Sequence, residues 1–310
     1  MLREPDIIAL FKSDADTLDD CALLPLKGLT LISTDSLSEG THFRRDWSSP
    51  EDVATKLIHV NVSDIYASGG RPACCTLNLG LPLDLADSFV ERFARAFVAE
   101  LDSLGIDLLG GDTFRSDSMQ LGLTMLGQTS RHVTRSGGRP GDSLYVTGAL
   151  GLSAAGFAHL SGRIQLSHEL TKKALDRHLR PRAAGPFAMS DDVHAAMDVS
   201  DGVVQDSVRL SRASGLTLDI HLDRLPSPDG LLAFLSPREI AISGEELELL
   251  FLAPPGFRGF PCTEIGYARA GEGVAFYMDG KKISVDQGFE HFSSKSVTVH
   301  SADGQAGGQR

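Results

Sequence analysis

The stretch SPEDVATKLIHVNVSDIYASGG at residues 49–70 carries the strongest structural signal in the sequence. It predicts a helix over Pro50–Ser68, because Ser49 can cap the first turn and the glycine pair that follows can end the last one. Asp64 falls at three- and four-residue steps from the apolar residues of this helix, which places its carboxylate on the inward-facing stripe. A buried carboxylate without a partner is costly, so Asp64 needs a cation or strong hydrogen-bond donors.

Two interpretations of Asp64 are open from the sequence. It could form a structural ion pair, with Lys56 or Arg71 as the partner. It could instead share a metal ion with other carboxylates, since carboxylate oxygens are the ligands that magnesium prefers. Asn61 lies one turn earlier on the same face and could add an oxygen or position the site. We favour the metal interpretation, because further acidic residues follow predicted strands elsewhere in the chain.

Short apolar runs rich in β-branched residues alternate with helical patterns on both sides of this helix. The predicted strands are Leu29–Ser33, Thr76–Leu81, Asp107–Gly110, Leu121–Gly127, Ser143–Thr147, Ala195–Val199, Leu216–Leu222, Leu249–Ala253 and Val274–Met278. The other predicted helices are Leu85–Leu104, Leu152–Leu160, Glu169–Leu179 and Gly202–Ser214. Both halves of the chain mix strands with helices, so the expected fold class is α+β or α/β.

The turn-rich segment at residues 135–142 predicts a domain boundary near the middle of the chain. We expect one domain over residues 1–137 and a second over residues 138–310. The chain becomes polar and rich in glycine and serine towards its end, so the tail after about residue 293 is expected to be disordered.

The composition limits the classes of partner. The chain has 41 acidic and 29 basic residues, a formal charge of -12, so nucleic acid is a poor partner. Its four cysteines form no CxxC motif and predict reduced thiols rather than a zinc site or a disulfide framework. The N-terminus does not resemble a signal peptide, and no apolar run approaches the roughly 20 residues of a membrane-spanning helix. We therefore expect a cytoplasmic protein without a membrane partner.

Several aspartates stand where a purely structural carboxylate would be awkward. Asp35 follows the run LTLIST and Asp112 follows IDLLGG, while the pair Asp19-Asp20 leads into CALLPL. Asp198 follows HAAM, and Asp201 opens a helix three residues later. Taken singly, each is more simply explained as a helix cap or a turn residue. Together, carboxylates at strand ends can converge on one cleft at the edge of a sheet.

The sequence lacks the usual phosphate-binding motifs. It contains neither GxxxxGK[ST] nor GxGxxG, so it is not an ordinary P-loop or dinucleotide-binding protein. The junction Ser143–Gly151 could cradle an anion at a helix N-terminus, or its glycines could simply allow tight packing. Many carboxylates with few lysines suggest that phosphate is held through magnesium. No GxSxG motif accompanies His42, so a Ser-His-Asp hydrolase is not expected.

A series of motifs resembles the thiamine-monophosphate kinase family, in the family's order and over residues 14–292. The motifs are Asp19-Asp-Cys-Ala-Leu-Leu, Ser33-Thr-Asp35, Glu39-Gly-Thr-His-Phe43, Asn61-Val-Ser-Asp64, Gly110-Gly-Asp-Thr113, Thr134-Arg-Ser-Gly137, Arg139-Pro-Gly-Asp142, Asp198-Val-Ser-Asp-Gly202 and the closing segment Gly288-Phe-Glu-His-Phe292. The resemblance implies an α+β fold. Its N-terminal α/β half would contribute strands to a β-barrel shared with a second subunit, and its C-terminal half would be an α/β sandwich. A homodimer with ATP at the interface is implied as the working unit.

The resemblance also implies roles for individual residues. The implied ligands of several Mg²⁺ ions are Asp20, Ser33, Thr34, Asp35, Asp64, Asp112, Asp198 and Asp201, of which Asp35, Asp64 and Asp112 are the expected catalytic group. The implied nucleotide contacts are Gly111, Asp112, Arg135 and Ser200. The implied contacts to thiamine monophosphate are His42, Glu245 and Phe289.

The chain departs from the family pattern late in the sequence. The family motif Gly-Gly-Glu-Asp-Tyr-Glu-Leu is replaced by Ser243-Gly-Glu-Glu-Leu-Glu-Leu249, which retains Glu245 but changes three positions. Leu18 stands where the family has a glycine, and Phe114 stands where it usually has a threonine. These changes bear on the substrate site and leave the expected metal ligands in place.

The expected reaction is direct in-line transfer of the γ-phosphoryl group of ATP to thiamine monophosphate. A phosphate oxygen is already a competent nucleophile near neutral pH, so the task is to bring two polyanions together. Three alternatives remain at this point. They are an ATP-dependent synthetase of the same superfamily, a non-catalytic protein that binds nucleotide or thiamine phosphate, and a metal-dependent phosphatase.

Overall fold

The computed structural model describes residues 6–7, 10–11, 28–187 and 190–285, and within these ranges the chain forms two β-sheets and six α-helices. The first sheet contains β1 (Leu29–Ser38), β2 (Arg71–Leu81), β3 (Asp107–Arg115) and β4 (Gln120–Thr129), in the order β1-β4-β2-β3. β2 and β3 run parallel, and the other pairs are antiparallel. One face of this sheet is covered by α1 (Pro50–Ala67) and α2 (Asp87–Leu104).

α1 forms where the sequence predicts it. Ser49 and Asp52 cap its first turn reciprocally: the Asp52 N–H donates to Ser49 Oγ at 3.2 Å, and the Ser49 N–H donates to Asp52 Oδ2 at 2.7 Å. The helix ends at Ala67, one residue before the predicted end. Its inward face, which includes Val53 and Leu57, is completely buried against the sheet.

The second sheet has seven strands in the order β11-β10-β7-β9-β5-β8-β6. The strands are β5 (Ser143–Val146), β6 (Ala195–Asp198), β7 (Leu216–His221), β8 (Leu249–Ala253), β9 (Thr263–Ala270), β10 (Gly273–Met278) and β11 (Lys281–Ile283). The helices of this half are α3 (Leu152–Leu160), α4 (His168–Leu179), α5 (Val203–Ser214) and α6 (Pro237–Ala241). The nine predicted strands and five predicted helices are confirmed, whereas β9, β11 and α6 were not predicted.

The predicted ends of two strands are wrong, and the error matters for the site. β1 continues to Ser38 and β3 to Arg115, so Asp35 and Asp112 lie inside strands rather than at strand ends. In β1 the segment STDSLS is polar enough to resemble a loop, yet its backbone stays paired with β4 as far as Ser38. Alternate residues of the strand face opposite sides, so its polar residues are shared between the two faces.

α1 also joins the two sheets. It packs on β1, β2 and β4 with one side and contacts β6 with another. Its last residue, Ala67, belongs to a small core with Tyr145 and Phe251 of the second sheet. The C-terminal half of α1, which carries Asp64, therefore lies where the two sheets approach each other.

Neither sheet closes into a barrel within the described ranges. Within the same residues, no helix has the length and apolar character needed to cross a membrane. The tail after residue 293, expected to be disordered, lies outside the described residues, as do Leu18, Asp20 and Phe289.

Candidate active site

Three of the predicted carboxylates come together from three separate elements. Asp35 lies on β1, Asp64 on α1, and Asp198 is the last residue of β6. Ser33 Oγ donates a hydrogen bond to Asp64 Oδ2, and Ser63 Oγ donates to Asp198 Oδ2 at 2.7 Å. We refer to Asp35, Asp64, Asp198 and Asp201 as the acidic cluster.

The acidic cluster carries more negative charge than its surroundings balance. Burial and, to a lesser extent, the charges of the other three members together raise the pKa of Asp35 to about 7. Burial likewise raises the pKa of Asp64 and of Asp198, while hydroxyl donors and the nearby charge of Arg135 act in the opposite direction. Carboxylates that remain mutually repelled despite these partners favour an additional cation at this position.

The ion-pair interpretation of Asp64 does not hold in the described residues. The Lys56 ammonium contacts Glu245 Oε2 instead, and within the described ranges no ion pair joins Asp64 to Lys56 or Arg71. Asn61 is completely buried and positions the site: its Oδ1 accepts from the Asp35 N–H at 2.9 Å, and its Nδ2 donates to the Leu57 carbonyl at 2.9 Å. Asn61 therefore ties the backbone of β1 to α1 beside the carboxylates.

The loop that carries Ser200 and Asp201 is held by an acid that sequence reasoning missed. Asp206 Oδ2 accepts from the Ser200 N–H at 3.1 Å and from the Asp201 N–H at 3.0 Å. Arg209 contacts both acids, with 2.5 Å to Asp201 Oδ2 and 2.8 Å to Asp206 Oδ1. Asp206 is fully buried, and burial raises its pKa to about 7. It lies three residues after Val203 and four before Leu210, both buried residues of α5. The three- and four-residue spacing that marks Asp64 therefore also marks Asp206.

Thr34 faces away from the acidic cluster. Its Oγ1 donates to the Leu123 carbonyl at 3.1 Å and accepts from Thr124 Oγ1 at 3.2 Å. Because side chains alternate along β1, Thr34 lies on the face of the sheet opposite to Ser33 and Asp35.

Gly111 and Asp112 are not brought to the acidic cluster within one chain. The strand register runs from Asp35 to Leu123, then to Leu77 and Gly111, which is three strand spacings or about 14 Å. Asp112 is exposed and pairs with Asn78, on the face that the helices leave uncovered. Asp35 and Asp112 therefore lie near opposite edges and on opposite faces of the first sheet.

A cavity of about 320 Å³ opens beside the acidic cluster. Asp64, Asp198 and Arg135 supply its charged wall, and Val133 and Met197 belong to its apolar wall. Such a combination suits a ligand with one charged and one apolar part, as in a nucleotide. A more open groove of about 410 Å³ lies at residues 39–46, where the arginines are already paired with Glu39 and Asp46.

The predicted substrate residues His42 and Glu245 meet at Lys56. The Lys56 ammonium donates to the His42 carbonyl at 2.8 Å and to Glu245 Oε2 at 2.7 Å. His42 Nδ1 accepts from the Ser38 N–H at 3.0 Å, which fixes the turn after β1. The Glu245 N–H donates to the Ser200 carbonyl at 2.7 Å. The loop of Glu245, a predicted substrate contact, is therefore hydrogen-bonded through its backbone to the loop of Ser200, a predicted nucleotide contact.

The junction before α3 does not form an external anion site. The N–H groups of Gly151 and Ser153 donate to Glu246 Oε1 at 2.8 and 3.2 Å, and Ser243 Oγ donates to the same oxygen at 2.5 Å. The helix N-terminus is thus filled by the chain's own carboxylate. Burial raises the pKa of Glu246 to about 7. Of the two interpretations of this junction, the structure supports internal packing.

The donor set fits magnesium by its chemistry. Carboxylate and hydroxyl oxygens surround an excess of negative charge, and hard oxygen ligands are those that Mg²⁺ prefers. Within the parts of the chain that the structure describes, no three His, Cys, Asp or Glu side chains already stand close enough to hold a metal ion. The expected ligand Asp20 lies outside those parts.

The chain is similar to known proteins. Two family models match: AIR synthase related protein, N-terminal domain, over residues 18–129, and AIR synthase related protein, C-terminal domain, over residues 139–278. The thiamine-monophosphate kinase of Leptospira interrogans is 38% identical over 304 residues, which cover 94% of this chain and 98% of that protein. The thiamine-monophosphate kinase of Escherichia coli is 39% identical over 298 residues, which cover 89% and 91%.

The fold is also similar to solved structures. AaThiL complexed with AMPPCP and TMP superposes with a TM-score of 0.78 at 36% sequence identity. The superposition covers 85% of this chain and 87% of that one.

Proposed function

We propose, from the premise that this chain belongs to the thiamine-monophosphate kinase family, that it transfers the γ-phosphoryl group of ATP to thiamine monophosphate and forms thiamine diphosphate. The supporting observation is the acidic cluster, placed beside a cavity with a charged and an apolar wall. The Lys56-linked pair of His42 and Glu245 adds a second polar group that could receive the acceptor substrate.

Asp35, Asp64, Asp198 and Asp201 would hold magnesium, with Ser33 beside Asp64. When bound, magnesium would neutralise the polyphosphate charge and align donor and acceptor. Asn61, Ser63 and Asp206 keep the carboxylates in place through the hydrogen bonds described above. The acceptor phosphate needs no strong base, so the residues of the chain act by binding and orientation.

We also propose a homodimer in which strands of the first sheet form a barrel with those of a second copy. The uncovered face of this sheet exposes large apolar side chains, with Ile32 71% and Phe114 45% exposed. A second copy packed on this face would remove these side chains from water. Gly111 and Asp112 would then act on the nucleotide from this shared face, which accounts for their distance from Asp35 within one chain.

Three further expectations belong to the proposal. The domains would divide at residues 137 and 138, between the first and second sheets. Arg135 and Ser200 would contact ATP, while Phe289 would pack on the substrate ring. The protein would act in the cytoplasm.

The altered segment 243–249 is compatible with catalysis. Two of its changed residues, Ser243 and Glu246, bond to each other in the interior, and the third, Leu247, is 2% exposed. The side chain of the retained Glu245 stays 28% exposed. The changes are therefore absorbed inside the fold, and the Glu245 carboxylate stays accessible to a substrate.

The deciding experiment measures thiamine diphosphate and ADP formed from thiamine monophosphate, ATP and magnesium. We expect equal amounts of the two products, with none formed when magnesium is chelated. ATP consumption without thiamine diphosphate would point to a sibling synthetase. Binding of both ligands without turnover would support a binding protein, and phosphate release from thiamine monophosphate without ATP would indicate a phosphatase.

A further inference from the structure

Lys56 is a buried cation without a role in the metal site. Its side chain is 3% exposed and projects from α1. Its ammonium donates to Glu245 Oε2 at 2.7 Å and to the His42 carbonyl at 2.8 Å. Burial of an ion pair contributes little net stability compared with apolar residues of the same volume. Its geometry, which ties together two expected substrate contacts, is the more informative feature.

The contacts of Lys56 join three separate parts of the chain. His42 belongs to the turn after β1, Lys56 to α1, and Glu245 to the loop before β8, 189 residues further along. Glu245 adopts a left-handed backbone conformation with φ 56°, which an L-residue rarely adopts. An arrangement of this kind persists only when surrounding contacts enforce it. For Glu245 the contacts are Lys56 at the side chain and Ser200 at the backbone.

The loop around Glu245 fits tightly against the Ser200 loop. A Cβ added to Gly244 would lie 2.9 Å from the Ser200 carbonyl oxygen, and the Leu247 N–H donates to the Val199 carbonyl at 3.0 Å. A shift of Glu245 would therefore displace the backbone beside Ser200. Lys56 bonds one oxygen of the Glu245 carboxylate and leaves the other for a substrate group.

A buried histidine, His178, lies beside the pair formed by Lys56 and Glu245. The pKa of His178 is lowered to about 4, mainly by burial and in part by the charge of Lys56, with the charge of Glu245 acting in the opposite direction. A neutral His178 does not compete with the ammonium for the carboxylate.

We propose that Lys56 is a positioning residue that holds the Glu245 carboxylate and the His42 turn as one preformed acceptor site. The inference rests on the proposed function and deepens it by assigning the acceptor half of the site. Preorganisation lowers the ordering cost of binding, so loss of Lys56 should weaken the acceptor and leave ATP binding nearly unchanged.

The test is a double-mutant cycle in the full-length protein with Lys56→Met, Glu245→Gln and the double variant. We expect Lys56→Met to raise KM for thiamine monophosphate at least tenfold and to change KM for ATP less than twofold. The double variant should be no more than twofold worse than Glu245→Gln, since Lys56 acts through that carboxylate. Lys56→Arg, which keeps the charge, should recover part of the loss. Lys173→Met, on the exposed face of α4, is the matched control and should leave both constants unchanged.

Equal increases in both KM values, or effects of the two substitutions that simply add, would overturn the proposal. Thermal unfolding of each variant separates a folding defect from a binding defect. If Lys56→Met does not fold, Lys56→Arg and Glu245→Gln carry the test, and an unchanged KM for thiamine monophosphate in both would reject it. If the wild-type protein forms no thiamine diphosphate, the proposed function fails, yet calorimetric binding of thiamine monophosphate still decides whether Lys56 positions the site.

Discussion

Two groups of carboxylates in this molecule serve opposite purposes. The acidic cluster brings carboxylates from β1, α1, β6 and the following loop to face one another, and their charges raise the pKa of Asp35. At the start of α3, by contrast, Glu246 accepts three hydrogen bonds on one oxygen. Its neighbour Glu248 accepts from Thr147 Oγ1 at 2.7 Å and pairs with Arg177 at 3.1 Å.

The difference teaches how a functional acid can be told from a structural one. Glu246 receives two backbone amides and a hydroxyl on Oε1, although its Oε2 is buried without a partner, and Glu248 receives a hydroxyl and a guanidinium. In the acidic cluster, by contrast, burial and the charges of neighbouring members raise the pKa of both Asp35 and Asp198. Uncompensated charge, rather than burial or residue type, marks the site that should bind a cation.

The largest expected effect comes from removing one charge of the acidic cluster. Asp35→Asn should lower kcat at least about 1000-fold, an effect of roughly 4 kcal/mol, because a catalytic electrostatic contact is lost. The magnesium-free variant should be at least as stable as the wild type, because a repelling charge is removed. Steady-state kinetics and thermal unfolding measure the two effects.

Asp191→Asn provides the control for Asp35→Asn, since the Asp191 side chain is 98% exposed. It should leave both turnover and stability unchanged. Near-normal turnover in Asp35→Asn would show that the acidic cluster is structural and would erase the distinction from Glu246.

At the cap of α3 we expect a loss of stability. Glu246→Ala removes the acceptor of two backbone amides and of Ser243, all in the interior. Its free energy of unfolding should fall by about 3 kcal/mol, since buried donors left without a partner are destabilising. Urea denaturation without magnesium measures the change. A loss below about 0.5 kcal/mol would mean that these bonds do not define a structural acid.

The sequence predicts most of the elements but not the extent of two strands near the site. α1 is predicted almost to the residue, because capping residues and apolar spacing act locally. β1 and β3 are predicted too short, since their polar ends are held by pairing with strands distant in sequence. β9 escapes prediction because its sequence, with Glu264, Gly266 and Arg269 among its residues, lacks the β-branched apolar run that marks the other strands.

The site shows the same division between local and long-range information. The unusual placement of Asp64 is visible from the spacing along α1, whereas its partner Ser33 is fixed only when β1 packs on that helix. Glu246 and the N-terminus of α3 are separated by more than 90 residues, so the sequence left the junction open to an external anion. Lys56 was considered as a partner of Asp64, but folding pairs it with Glu245.

The pH dependence of the unfolding free energy tests the state of Glu246. Burial raises its pKa to about 7, so the folded protein keeps a proton that the unfolded chain releases near the ordinary value of 4.5. The stability contributed by this proton is complete below pH 4.5 and is lost as pH rises through 7. Between pH 5.5 and 8, the wild type should lose about 2 kcal/mol more unfolding free energy than the neutral variant Glu246→Gln. Parallel pH profiles would show that the three donors keep Glu246 ionised throughout.

The smallest effect is expected at Asp201, a member of the acidic cluster that is already paired with a cation. Arg209 contacts Asp201 at 2.5 Å and should compete there with magnesium. Its side chain is 37% exposed, so solvent screens the pair and the competition is weak. Arg209→Gln should lower the magnesium concentration for half-maximal activity about threefold, or roughly 0.6 kcal/mol. The exposed Arg212→Gln on the same helix is the control. A higher magnesium requirement in Arg209→Gln would instead mean that Arg209 orders Asp201. The acidic cluster would then resemble the N-terminus of α3, where groups of the chain itself donate hydrogen bonds to the carboxylate.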